Sequence, residues 1–226
     1  MRRISAIGIA IFLAVFAPLS AHSQFVGPKV PDEFRDTSML KPPPGSSVAI
    51  VVFEDLGCPG CARAHPIELQ AAQQMHVPIL RYDFPIPAHI WTFKAALFAR
   101  YLQDKVNPQL AEQFRTNVFA TQASIESQDD IQRFTQRWLQ QHGQPAPFVL
   151  DPDGALATKV LADYNLGIRL HLVQTPTVVV VTRNAYQVVC GIHDGNNDPS
   201  RLLAILRAAV AQAGSMHGTP SKKHAN

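Results

Sequence analysis

Hydrophobic runs and their periods divide the chain into an alternating series of elements. Residues 48–53 form an apolar run that predicts a strand, and the following stretch, about 59–75, can be helical. A second strand is predicted at 77–83, a long helical stretch at about 88–142, and a further helix near 155–165. Two runs rich in β-branched residues, 178–182 and 187–190, flank Arg183-Asn184-Ala185-Tyr186, as expected for an antiparallel hairpin. The last helix has a clear start: Asp198 can cap it, Pro199 suits the first helical position, and Leu202, Leu203, Leu206, Ala209 and Val210 share one face. Leu97, Phe98, Tyr101 and Leu102 recur at helical spacing, and Phe114, Val118, Phe134, Trp138 and Leu139 continue the pattern. These read as the core of a helical insertion rather than a cofactor box. The order strand, helix, strand, hairpin, helix predicts an α/β fold, a mixed central sheet flanked by helices, with an inserted helical subdomain at about 88–145.

Composition narrows the setting. The chain is 46% hydrophobic and 16% charged, as expected of a globular protein, and its net charge of +3 is too small to argue for nucleic acid binding. Met1-Arg2-Arg3, an apolar stretch at 4–19 and Ala21-His22-Ser23 read as a signal peptide cleaved after residue 23. The apolar stretch falls short of the roughly 20 residues that a spanning helix needs. Arg2-Arg3 raises a twin-arginine route but lacks polar motif residues around it, and no cysteine lies near the cleavage site to carry a lipid. The expected location is therefore periplasmic or secreted. Residues 24–47, with Pro28, Pro31 and Pro42-Pro43-Pro44-Gly45, read as an extended arm rather than a packed element. A single domain is expected over 48–212, followed by a disordered tail over 213–226.

The candidate chemistry is Cys58-Pro59-Gly60-Cys61, placed where a strand hands over to a helix N-terminus. Unpaired N–H groups and the helix dipole favour a thiolate at Cys58, making it a better attacking and leaving group. The same spacing is half of a zinc site, but the other half is missing: Cys190 stands alone, and His65 and His76 lack ligand spacing. A periplasmic Cu(I)-binding chaperone using the same two thiolates is the rival from another class, although no Met-rich or Cys/His-rich segment accompanies them. A binding module that kept the fold and lost turnover is a third. Asp151-Pro152-Asp153-Gly154 begins like a calcium loop without its later ligands, so a turn with Asp153 as helix cap is expected there. No metal or cofactor is expected beyond the Cys58-Cys61 pair itself. Cys190 reads as a buried small hydrophobe, and His65 and His89 as structural histidines.

Taken together, Cys58-Pro59-Gly60-Cys61 after the first strand, Pro66 inside the next helix, Gln174-Thr175-Pro176-Thr177 entering a strand, and the helical insertion resemble a DsbA-like thiol:disulfide oxidoreductase of the thioredoxin superfamily over about 48–212. The resemblance implies a cis Thr175-Pro176 bond beside the cysteines, with Thr175 pairing to substrate backbone; a proline merely opening a strand is the plainer alternative. It implies Cys58 as the sulfur that forms the mixed disulfide and Cys61 as its closing partner. It also implies cysteine-containing exported proteins as substrates and a membrane redox partner of the DsbB or vitamin K epoxide reductase type. Strong oxidants of the family often carry Pro-His between the cysteines; Pro59-Gly60 predicts a weaker one, with isomerase and reductase roles open. Many relatives place a buried acid where this chain has Val52, leaving Glu54 as the candidate for proton transfer, against a reading of Glu54 and Asp55 as solvated or capping groups. The 167–174 stretch, with Arg169 and His171, reads as a long connection into Pro176. The arm at 24–47 is too short for a dimerisation domain, so a monomer is expected.

Overall fold

The strand expected at 48–53 forms as β1 (Val48–Glu54), and all seven of its residues are buried. The structure is a computed structural model that describes residues 40–189 and 199–217. β1 is buried because it is central. It pairs in parallel with β2 (Ile79–Asp83) on one side and antiparallel with β3 (Thr177–Thr182) on the other, and β3 pairs with β4 (Tyr186–Val189). The order β2-β1-β3-β4 confirms the mixed sheet. Alternation along β1 then sends Val48, Ile50 and Val52 to one face and Ala49, Val51 and Phe53 to the other.

Helices cover both faces. On the first, α1 (Pro59–Met75) and α6 (Pro199–His217) bring Ala64, Ala71, Leu202, Leu206 and Ala209 against the strands. On the second, α5 (Ala155–Arg169) brings Leu166, next to Phe84 and Leu170. Leu40 is buried on that side too, so the end of the expected arm is anchored in the core. α1 begins at Pro59 and ends at His76, whose left-handed conformation (φ 51°) returns the Val77 N–H to the Ala72 carbonyl. That cap uses Val77, the Pro78 carbonyl accepts from the Ile50 N–H, and β2 starts at Ile79 rather than at 77.

The long helical stretch resolves into three helices. Residues 86–91 form turns, and α2 (Thr92–Tyr101) runs into a π-helical turn (Leu102–Val106) that ends at Asn107. The Asn107 side chain accepts from the N–H groups of Gln109 and Leu110, capping α3 (Pro108–Thr121). Ser127 caps α4 (Gln128–Gln141) through the Asp130 N–H. Their shared core holds Phe98, Leu102, Phe114, Val118, Trp138 and Leu139, with Tyr101 and Phe134 packed against it, as the periodicity predicts, whereas Leu97 is half-buried outside this cluster.

Two further boundaries differ from the sequence reading. α5 extends through Arg169, so the connection to β3 is only 170–176, and α6 continues to His217, beyond the expected end near 212. At the start of α5, Asp151 accepts from the N–H groups of Leu156 and Ala157, whereas Asp153 accepts only from Ala155. Asp151 therefore carries most of the expected cap. The signal peptide, Cys190 and Asp198 lie outside the described residues. Among the described residues no helix is long and apolar enough to cross a membrane.

Gly167 gives a test of packing against propensity. Replacing a helical glycine with alanine favours a helix by about 1 kcal/mol. Here an added Cβ would lie 2.5 Å from the Phe84 ring, which stacks on Tyr164 at 4.8 Å. Overpacking costs about 1–3 kcal/mol. Gly167→Ala is expected to lower stability in urea unfolding despite the propensity gain.

Candidate redox site

The site is assembled at the end of β1, where Asp55 touches both cysteines through its backbone. Its carbonyl accepts from the Cys58 N–H at 3.0 Å, and its N–H donates to the Cys61 sulfur at 3.5 Å. Its carboxylate accepts from the Gly57 N–H at 2.6 Å, the Ile86 N–H at 2.5 Å and the Thr92 hydroxyl at 3.3 Å, and pairs with His89 Nδ1 at 3.1 Å. One side chain thus fixes the loop before Cys58 to the turns that lead into α2. Asp55 is buried, not solvated. Gly57 is required by this proximity, since a Cβ there would meet Thr92 Cγ2 at 2.6 Å.

Cys58 is the N-cap of α1 and partly exposed, whereas Cys61 is 2% exposed in the core of the insertion, beside Leu56, Trp91 and Phe98. Both cysteines are free thiols in this structure. The Thr175-Pro176 bond is cis, and as a thiol Cys58 donates to the Thr175 carbonyl at 3.2 Å. The Cys61 thiol is the largest influence on the Cys58 sulfur; with further help from Thr175 and the N–H groups of Cys61 and Gly60, it outweighs burial and lowers the Cys58 pKa to about 5. Burial first, and then the charge of Cys58, push Cys61 well above its ordinary value. The pair is therefore divided into one thiolate and one thiol across the neutral range.

Glu54 is placed differently from the sequence reading, and a glutamine that the reading did not single out joins the site. Val52 is an apolar core residue against α1 and α6. Glu54 is buried with a guanidinium on each oxygen, Arg81 Nη1 at 2.7 Å and Arg115 Nη1 at 2.8 Å. Burial raises its pKa against the pull of both arginines. Gln122, in the 3₁₀ turn (Gln122–Ser124), donates from its amide to the carbonyls of Leu56 at 3.1 Å and Cys58 at 3.4 Å. Nothing local marks Gln122 in the sequence, whereas Asp55 followed by Gly57 is a turn signal. His65 is structural, as expected, bonding Thr116 Oγ1 at 2.8 Å and packing on Phe119. Arg169 lies in α5 and not in a substrate-facing loop.

Glu54, His65 and Glu68 bring potential ligand atoms within 4.8 Å of one another. Arg81 Nη1 already lies 2.7 and 3.0 Å from the two carboxylates, so a guanidinium takes the place of a cation.

Comparison with known proteins agrees with this geometry. The profile of a family described as thioredoxin matches residues 37–207. No protein of curated function matches the chain. Among solved structures, alpha-DsbA1 of Wolbachia pipientis superposes with a TM-score of 0.61 at 15% identity, covering 80% of this chain and 98% of its own. The thiol-disulfide exchange protein alpha-DsbA2 from the same organism gives 0.60 at 17% identity, covering 78% and 94%. A periplasmic thioredoxin-like protein from Salmonella enterica serovar Typhimurium gives 0.51 at 14% identity, covering 76% and 87%.

Thiolate absorbance of the reduced protein should titrate with a midpoint near 5 for Cys58. A lowered folded pKa contributes stability above the unfolded value and loses it as pH falls through the folded one. The reduced form should therefore lose its advantage over the disulfide form on acidification toward pH 5, read by paired thermal melts. Asp55→Ala takes the acceptor from the part-buried N–H groups of Gly57 and Ile86 and is expected to cost about 2 kcal/mol in chemical unfolding.

Proposed function

The chain belongs to the thioredoxin family, and on that premise we propose that it is an exported thiol:disulfide oxidoreductase that introduces disulfides into cysteine-containing proteins. The observation that carries the reading is the partly exposed Cys58 at the start of α1, its sulfur 3.2 Å from the Thr175 carbonyl and its pKa lowered to about 5 beside a buried Cys61 thiol. A stabilised thiolate favours the dithiol form, so the disulfide form is the better electron acceptor.

The reaction balances within the pair. With Cys58 and Cys61 joined, a substrate thiolate attacks Cys58, forming a mixed disulfide and releasing Cys61, which takes up a proton. A second substrate thiolate attacks the substrate sulfur of the mixed disulfide and expels Cys58 as a thiolate. The substrate leaves oxidised by two electrons, and the dithiol must pass those electrons on. A membrane partner of the DsbB or vitamin K epoxide reductase type fits that need. Thr175 and Pro176 lie beside Cys58, which supports their assignment to substrate binding. Pro59 and Gly60 form the first turn of α1, and the N–H of Gly60 favours the Cys58 thiolate without any side-chain donor. The charged and apolar N-terminal pattern supports export, as does the likeness to a periplasmic protein. Glu54 is best read as a fixed charge near Cys61, where it adds to the rise in that thiol's pKa.

The deciding measurement is the equilibrium of the pair with glutathione buffers, followed by free thiol content. A potential near or above about −180 mV supports disulfide donation, and one near about −270 mV moves the assignment to reductase or isomerase. Cys58→Ser should abolish exchange.

A further inference from the structure

Behind the dithiol lies a buried ionic cluster that the exchange steps do not use. Arg81 of β2 binds Glu54, Glu68 and Glu112; Arg115 of α3 binds Glu54 and Asp83; Arg100 of α2 binds Asp83 and Asp163. Five carboxyl groups therefore share three guanidinium groups, an excess of two acids. His65 supplies no charge, because burial and then Arg81 lower its pKa to about 3. An uncompensated buried carboxylate is costly, so the excess favours bound protons.

The contacts identify where the inner proton resides. Glu54 has a guanidinium on each oxygen, and Glu112 is held by Arg81 through both of its own, at 2.9 and 3.0 Å, with one face toward solvent. Glu68 is 1% exposed and has one contact, Oε2 to Arg81 at 3.0 Å, while Oε1 has no partner. Glu68 lies two turns beyond Cys61 on α1, close to the same face. It shares Arg81 Nη1 with Glu54, the acid whose charge acts on Cys61.

We propose that Glu68 is a proton-holding positioning residue of the dithiol: it carries the cluster's inner proton at neutral pH, and its charge state acts on the Cys58-Cys61 pair through Arg81 and Glu54. A cavity of about 480 Å³ on the β2 edge, lined by Arg81, Arg100, Glu112, Arg115 and Asp163, brings solvent to Arg81, the partner of Glu68, although Glu68 itself does not line it. Burial, opposed by Arg81, places the Glu68 pKa at about 7, in accord with this role. The charged and titratable groups facing it are Glu54 from β1, Arg81 from β2, Glu112 from α3, and His65 from its own helix. When the disulfide is reduced, two electrons arrive, Cys61 takes a proton and Cys58 keeps a negative charge. That new charge raises the cost of ionising Glu68, so Glu68 should release its proton at higher pH in the dithiol form than in the disulfide form.

The test uses the full chain and rests in part on the proposed redox role. Infrared spectra of the wild type at pH 6 should show a protonated, buried carboxyl component that fades as pH rises through 7, apart from that of Asp163, which burial raises only to about 6, and Glu68→Gln should lose the component near 7. In glutathione buffers the wild-type redox equilibrium should show a step in its pH profile near neutrality, and Glu68→Gln should lose the step while keeping the Cys58 thiolate titration. A wild type with no carboxyl component fading near pH 7, a Glu68→Gln protein that retains that component, or an unchanged pH profile overturns the inference. The wild-type spectrum decides the first point even if the variant does not fold. Failure of the pair to exchange with glutathione would instead remove the proposed function, leaving the infrared result to stand alone.

Discussion

The arrangement depends on Asp55, the residue that ends the central strand. Its backbone holds Cys58 by the amide and Cys61 by the sulfur, and its carboxylate gathers donors from the loop before Cys58 and from the turns before α2. A strand end, a helix start and the insertion are thereby set by one buried side chain. Because a charged acceptor must be satisfied when buried, these contacts exist together or the residue pays desolvation without return. Cysteine spacing alone would leave the relative heights of the two sulfurs undetermined.

The insertion contributes more than an added layer. Its apolar core encloses Cys61, which is why that thiol stays protonated while Cys58 at the rim is ionised. Gln122 adds a direct tether to the carbonyls on either side of Gly57. The ionic cluster beneath links β1, β2, α1, α2, α3 and α5. Buried pairs of this kind give little net stability once desolvation is counted. Their value here lies in fixing charge close to the dithiol.

Much of this was legible in the sequence where the signals were local. β-Branched runs marked β1, β3 and β4, Pro59 marked the start of α1, and Cys58-Pro59-Gly60-Cys61 with Thr175-Pro176 marked the site. The breaks within 88–142 carried local signals as well, in Asn107-Pro108 and in Ser127 with Asp130, but the continuous apolar period masked them. The ionic cluster had no such signature. Glu54, Glu68, Arg81, Asp83 and Arg115 belong to four elements, and only their packing shows that they meet. For the same reason Glu54 and Asp55 looked like solvated residues at a strand end and are instead buried.

Cys58 and the Thr175 carbonyl are 117 residues apart in sequence, and the strand that leads to Cys58 is completed by a neighbour from the other end of the domain. A ribosome delivers the cysteines long before it delivers that carbonyl. Such distant pairings close late, because loop entropy must be overcome before the contacts form. An unfinished chain therefore carries the local part of the site, Cys58 beside Cys61, without the Thr175 side, which arrives only when the last strands dock. Truncated or misassembled copies would lack that side, which couples completion of the site to completion of the fold.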